Sequence, residues 1–136
     1  MKVFISHSYK DKTLARKVAD VLEDMGFDVW DAEREILPGD NLPEKLNQAL
    51  KESQAMVVLL TPDSLKSKWV QYEISYALGE RSYEGRLIPV LVGSPEKFSK
   101  ENIPWIFQHL KTVNLPERGK QKEGIKRIAE ALQQAA

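Results

Sequence analysis

The chain has 136 residues, enough for one domain around a single core. Its 42% apolar and 29% charged residues form an ordinary globular balance that argues against disorder. Twenty Lys and Arg offset twenty Asp and Glu, so the clustered positive charge that nucleic acid requires is not favoured. With no cysteine, disulfides, thiolate metal sites and a cysteine nucleophile are excluded. The apolar run in MKVFISHSYKDK is too short for a signal peptide or membrane span, and a cytoplasmic protein is expected.

KVFIS (2–6), dense in Val, Phe and Ile, predicts a first strand. Leu14, Val18, Val21, Leu22 and Met25 recur at helical spacing and stop at Gly26, which predicts a helix and its end. FDVW (27–30) returns to strand character, and DAEREILPGDN (31–41), punctuated by Pro38-Gly39, predicts a long loop. Asn41 reads as an N-cap, with Glu44 as capping-box partner and Pro43 tolerated in the first turn. Leu42, Leu46, Ala49 and Leu50 are the expected buried stripe of that helix.

AMVVLL (55–60) is apolar throughout, as a strand covered on both faces must be. TPDSLKS (61–67) predicts a loop, followed by a helix over roughly 67–82 that buries Val70, Ile74, Ala77 and Leu78. RLIPVLV (86–92) predicts another strand, with Pro89 pointing to an unpaired edge or a bulge. GSPEKFSKENIPWIFQHL (93–110) reads as irregular with a short helix, and KTVNL (111–115) as a last short strand. Ile125, Ile128, Ala129 and Leu132 predict a closing helix. There is no internal repeat and no linker, so a single domain over 1–136 is expected.

This alternation argues for a three-layer α/β fold, a five-stranded parallel sheet with helices on both faces. Right-handed crossovers leave few topologies, and the flavodoxin-like order 2-1-3-4-5 is the commonest. Ligands of such sheets bind beyond the carboxyl ends of the strands, at the switch point between strands 1 and 3. SHSYKD (6–11), the loop after Trp30 and TPDSLKSKWVQYE (61–73) converge there.

Residue types exclude several uses of that crevice. A phosphoacceptor site needs acidic residues after strand 1 and an Asp ending strand 3, where this chain has Ser6-His7-Ser8 and Leu59-Leu60-Thr61. There is no G-x-G-x-x-G, no P-loop and no G-x-S-x-G elbow, and SHSYKDK is too bulky for a flavin phosphate loop. His7 and His109 are far apart in sequence, so no metal site is expected, and His7 reads as a loop residue that packs or hydrogen-bonds. What remains is Glu73, four residues after Trp69 on one helix face, with Trp30 ending strand 2 nearby. A lone carboxylate suffices to cleave an N-glycosidic bond to a pyridinium, as in NAD. The leaving group departs neutral, and the sugar cation is stabilised by the carboxylate. An aromatic ring favours the cationic nicotinamide. Spacing alone favours the plainer reading, a packed Trp69 and a solvated Glu73.

The motifs in order resemble a bacterial TIR (Toll/interleukin-1 receptor) domain over nearly the whole chain. VFISHSYKD (3–11) resembles the first family box, and VWDAEREILPGDNLPEKLNQAL (29–50) is similar to the strand 2, BB loop and helix B segment. AMVVLLTPDSLKSKWVQYEISYAL (55–78) resembles the third strand and the helix carrying W-x-x-x-E, and NIPWIF (102–107) is weakly similar to the third box. The resemblance implies the flavodoxin-like sheet and one of two roles: cleavage of NAD to ADP-ribose or a cyclic ADP-ribose signal, as in bacterial immunity, or a scaffold for TIR–TIR assembly.

For the enzyme, the resemblance implies Glu73 as the catalytic carboxylate, with NAD as substrate and no cofactor. Trp69 and Trp30 are expected in the nicotinamide pocket, with Ser6 and Ser8 as donors to phosphate or ribose, turn or helix capping being their plainer reading. Many bacterial members carry an acidic residue two places after the aromatic ending strand 2. Here that place is Ala32; either the strand ends one residue differently, or Asp31 or Glu33 is expected to stand in. Lys10 and Lys12 are candidates for the diphosphate, with solvated lysines as the plainer reading. For docking, Arg34, Ile36, Leu37, Pro38, Gly39 and Asp40 form the BB loop. Expected partners are other TIR domains that complete the site, and a sensor or effector protein, with no nucleic acid or membrane.

Overall fold

The computed structural model describes residues 1–93, 107, 110, 112–116, 119 and 121–135, apart from the side chain of Glu33. Strands β1 (Lys2–Ser6), β2 (Asp28–Trp30), β3 (Ala55–Leu60), β4 (Leu87–Val92) and β5 (Val113–Leu115) pair in parallel in the order β2-β1-β3-β4-β5. Fold class and strand order agree with the sequence reading. The central strand β3 is buried at every position, which is why its sequence carries no polar residue.

Alternate side chains of the sheet supply two cores. Val3, Ile5, Val29, Val57 and Val90 face helices α1 (Lys12–Asp24) and α6 (Gln121–Ala135). Phe4, Trp30, Met56, Val58 and Leu60 face α3 (Leu42–Glu52) and α5 (Lys68–Gly79). Gly124 lets α6 approach β5, since a Cβ there would fall 2.5 Å from Leu115 Cδ1.

Two segments expected as loops contain short helices, α2 (Ala32–Glu35) and α4 (Pro62–Lys66). In α2 the Asp31 carbonyl accepts from the amides of Arg34 and Glu35, both at 3.0 Å. In α4, Thr61 and Ser64 form a reciprocal capping box, with Pro62 in the first turn where a missing N–H is harmless. Both helices are too short to show a periodic apolar stripe.

The next helix is shorter than expected: α5 ends at Gly79 and a 3₁₀ turn, Arg81–Tyr83, follows. Leu42 and Leu78, expected in buried stripes, are exposed, each at the end of its helix. The Asn41 cap forms, its side chain accepting from Glu44 N at 3.1 Å. Pro89 lies on an interior strand, but β5 begins only opposite Val90, so its missing N–H leaves no ladder bond broken. The short helix expected within 93–110, His109 and the 102–106 part of the third-box segment lie outside the described residues.

Candidate active site

The carboxyl ends of β1, β2 and β3 bring the three predicted segments together. β1 is short and ends in polar residues, so Ser6 leaves the sheet on the side of Phe4 and meets α5. Ser6 Oγ donates to Glu73 Oε1 at 2.6 Å, and both side chains are buried, Glu73 with 7% exposure. α5 starts from a Ser67 cap on Val70 N and buries Val70, Glu73, Ile74 and Ala77. Glu73 thus occupies a core-facing position on this helix.

Burial raises the Glu73 carboxyl to about 7, against the lowering effects of the Ser6 hydrogen bond and the charge of His7. The cause is desolvation of the anion, which finds only one short hydrogen bond and one distant cation in place of water. A carboxylate held this way is poorly solvated and suited to a cation brought beside it. The plainer reading of Glu73 as a solvated surface residue does not hold.

His7 leaves β1 on the other side. Its Nδ1 donates to the Ser8 carbonyl at 2.8 Å, and its Nε2 lies 3.5 Å from Oδ1 of Asp31. Asp31 is fully buried. Arg34 closes over it from α2, with Nε 3.9 Å from Asp31 Oδ2, an ion pair to Glu23 on α1 and a contact of 3.4 Å to the Val29 carbonyl. Arg34, expected on the docking loop, therefore holds α2 against α1.

The remaining candidates divide clearly. Trp30 is 8% exposed and stacks on Phe4 with ring centroids 5.0 Å apart, on the same face of the sheet as Glu73. Trp69 is 47% exposed at the start of α5, one turn before Glu73. Ser8 caps the 3₁₀ turn Tyr9–Asp11, accepting from Lys10 N at 3.1 Å. Lys10 lies 3.7 Å from Asp63, and Lys12 donates to the Tyr9 hydroxyl at 3.0 Å. Leu37 is exposed at the loop tip, where Gly39 takes a φ of 91° and Asp40 accepts from Leu37 N at 2.8 Å. Ile36 is half-buried against the core, and Asp40 also lies 3.7 Å from Lys45. Glu33, the alternative to Asp31, has a side chain outside the described residues.

Contacts not anticipated from the sequence include the Ser6–Glu73 bond, the His7–Asp31 pair and, last, the Thr61 Oγ1 donation to Asp11 Oδ2 at 2.6 Å. The Thr61–Asp11 contact ties the segments after β1 and β3 together. A cavity of about 620 Å³ lies at the opposite end of the sheet, lined by Ala77, Tyr83, Leu87 and Ala131 among others. It brings no Ser–Glu or His–Asp couple together. Among the described residues, no three His, Cys, Asp or Glu side chains converge as a metal site requires, and no helix is long and apolar enough to cross a membrane.

Comparison with known proteins bears on the family and the fold. The chain is 36% identical over 73 residues to the 2′ cyclic ADP-D-ribose synthase BtTIR of Bacteroides thetaiotaomicron, covering 53% of this chain and 25% of the relative. It is 31% identical over 86 residues to the NAD(+) hydrolase TcpC of Escherichia coli, covering 62% of this chain and 28% of the relative. The chain thus spans about a quarter of the length of these curated relatives. A metazoan TIR-STING receptor from C. gigas superposes with a TM-score of 0.78 at 26% identity, over 96% of this chain and 38% of the receptor chain. The family model described as TIR domain matches residues 3–132, and the chain belongs to the TIR domain family.

Proposed function

We infer that this domain cleaves NAD at the bond between nicotinamide and ribose, with Glu73 as the catalytic carboxylate. The observation that carries the reading is the buried Glu73, bonded to Ser6 at 2.6 Å and raised to about 7 by desolvation at the carboxyl end of β1. The names of relatives, a 2′ cyclic ADP-D-ribose synthase and an NAD(+) hydrolase among them, support the substrate.

In the reaction the C1′–N bond breaks and its electron pair passes to the ring nitrogen, so the pyridinium departs as neutral nicotinamide. Positive charge develops on the ribose. An anionic Glu73 attracts that charge more strongly in a desolvated site than it would in water, and more strongly in the transition state than in the ground state. Attack by water on C1′ gives ADP-ribose and a proton; attack by a hydroxyl of the same molecule gives a cyclic product. Trp69, half exposed one turn away, offers its ring face to the cationic nicotinamide. Trp30 supports the site from within, since its ring is already stacked on Phe4. Asp31 acts from behind the strand, through His7.

Assembly belongs to the same reading. Leu37 is 62% exposed at the tip of the 36–40 loop, and an apolar tip of this kind suits docking on a neighbouring TIR domain that completes the site. The alternative is a scaffold that docks through this loop without catalysis. Forced clustering of the domain on a template, followed by chromatographic analysis of NAD products, separates the two. The enzyme releases nicotinamide and loses that release in Glu73→Ala. A clustered wild type that leaves NAD intact refutes the enzyme, and turnover that survives Glu73→Ala refutes the role of Glu73.

A further inference from the structure

At the end of β1, successive side chains leave in opposite directions, Ser6 to Glu73 and His7 to Asp31. The side chains of His7 and Asp31 are 4% and 0% exposed. Nδ1 of His7 lies 2.8 Å from the Ser8 carbonyl oxygen, which can only accept, so Nδ1 carries a proton. A neutral ring would then turn the Nε2 lone pair toward the Asp31 carboxylate 3.5 Å away. Protonating Nε2 replaces that repulsion with an ion pair. Burial opposes the charge, yet the Asp31 contact, the Ser8 carbonyl and the fields of Asp31 and Glu73 outweigh it and raise His7 above its ordinary 6.5.

We propose that His7 is a positioning residue of the Glu73 site: held between Asp31 and the Ser8 carbonyl in a setting that favours the imidazolium, it favours the ionised form of the neighbouring buried carboxylate. The geometry separates two jobs across one strand. Ser6 holds Glu73 in place by a hydrogen bond, while His7, one residue on, supplies the positive field without blocking the face where substrate approaches. Asp31 favours protonation of that ring.

The surrounding groups come from several elements. Arg34 from α2 lies beside Asp31 and pairs with Glu23 on α1, and Asp20 adds its field to Arg34. Tyr83 senses Glu73 from the 3₁₀ turn, but burial pushes its phenol well above the ordinary range, so it stays neutral. At the rim, Lys10 pairs with Asp63 and Asp11 accepts from Thr61. Among the described residues, His7 is the ionisable group whose charge acts on Glu73.

The use of this charge in catalysis rests on the NAD-cleaving reading, but the coupling does not, and it is read without substrate. Carbon-13 NMR of the Glu73 carboxyl, assigned with Glu73→Gln, follows its titration directly. In His7→Gln the midpoint is expected to rise by about 1 pH unit, a tenfold drop in the ionised fraction on the acid side. His7→Lys, which restores a cation, is expected to bring it back toward wild type. A midpoint that is unchanged or lower in a folded His7→Gln overturns the proposal. If His7→Gln fails to fold, Asp31→Asn takes its place: loss of the clamp raises the Glu73 midpoint, and a fall overturns the proposal. In the cleavage assay the acid limb of nicotinamide release moves with the NMR midpoint. A His7-dependent titration with no NAD cleaved at any pH supports the coupling and refutes the NAD reading alone.

Discussion

Replacing Glu73 with glutamine should stabilise the domain, and the gain should depend on pH in a defined direction. The carboxyl is raised from 4.5 to about 7 in the folded chain. The folded state therefore holds this proton more tightly than the unfolded state does. Below pH 4 both states are protonated and the group costs nothing. As pH rises from 4.5 to 7 the unfolded chain releases its proton while the folded chain keeps it, and folding becomes progressively less favourable. Above 7 both are ionised and the penalty is complete, about 3 kcal/mol for a shift of about two and a half units. Glutamine keeps the acceptor for Ser6 Oγ and removes the buried charge, so Glu73→Gln should gain about 2–3 kcal/mol at pH 8.5 and little at pH 4. Urea unfolding followed by tryptophan fluorescence at four or five pH values measures the difference. A gap that is constant with pH, or a variant less stable than wild type at pH 8.5, refutes the idea that desolvation of Glu73 governs this site.

Nicotinamide release is expected to fall about tenfold per pH unit below the Glu73 midpoint near 7 and to level off above it, measured as kcat/KM across pH 5 to 9. Flat activity across that range contradicts an anionic Glu73. The two tryptophans should separate by assay. Trp69→Ala, at a half-exposed position, should change stability by about 1 kcal/mol or less while raising KM for NAD. Trp30→Ala removes the ring stacked on Phe4 and should cost about 3–5 kcal/mol in denaturant unfolding. Gly124→Ala places a Cβ 2.5 Å from Cδ1 of the buried Leu115, and thermal unfolding should show a loss of about 1–3 kcal/mol despite alanine's better helix propensity.

Much of the frame was legible because its signals are local. AMVVLL states a doubly covered strand, and Leu14, Val18 and Leu22 repeat at helical spacing, so strand order followed from crossover rules. The short helices α2 and α4 were not legible, since four or five residues cannot show a period, and Thr61–Ser64 caps with serine where glutamate or glutamine usually marks the box. At the site, the Trp69–Glu73 spacing identified the helix, but not that one side chain faces out and the other in. That distinction comes from α5 packing on β1, a contact across 67 residues of sequence. The His7–Asp31 pair is likewise non-local. Its signal lay in the predicted neighbouring of strands 1 and 2, which aligns Phe4 with Trp30 and sets the residues beyond both strand ends side by side.

Under the proposed function, an anionic carboxylate at position 73 stabilises the ribose cation as nicotinamide leaves. Its most direct test is the rate of nicotinamide release by clustered wild type and clustered Glu73→Gln at pH 8.5, where the variant should be the more stable of the two proteins. A loss of at least about a thousandfold is expected in a variant that is folded and still retains Ser6. Release within about tenfold of wild type would show that the charge at this position does not carry the reaction.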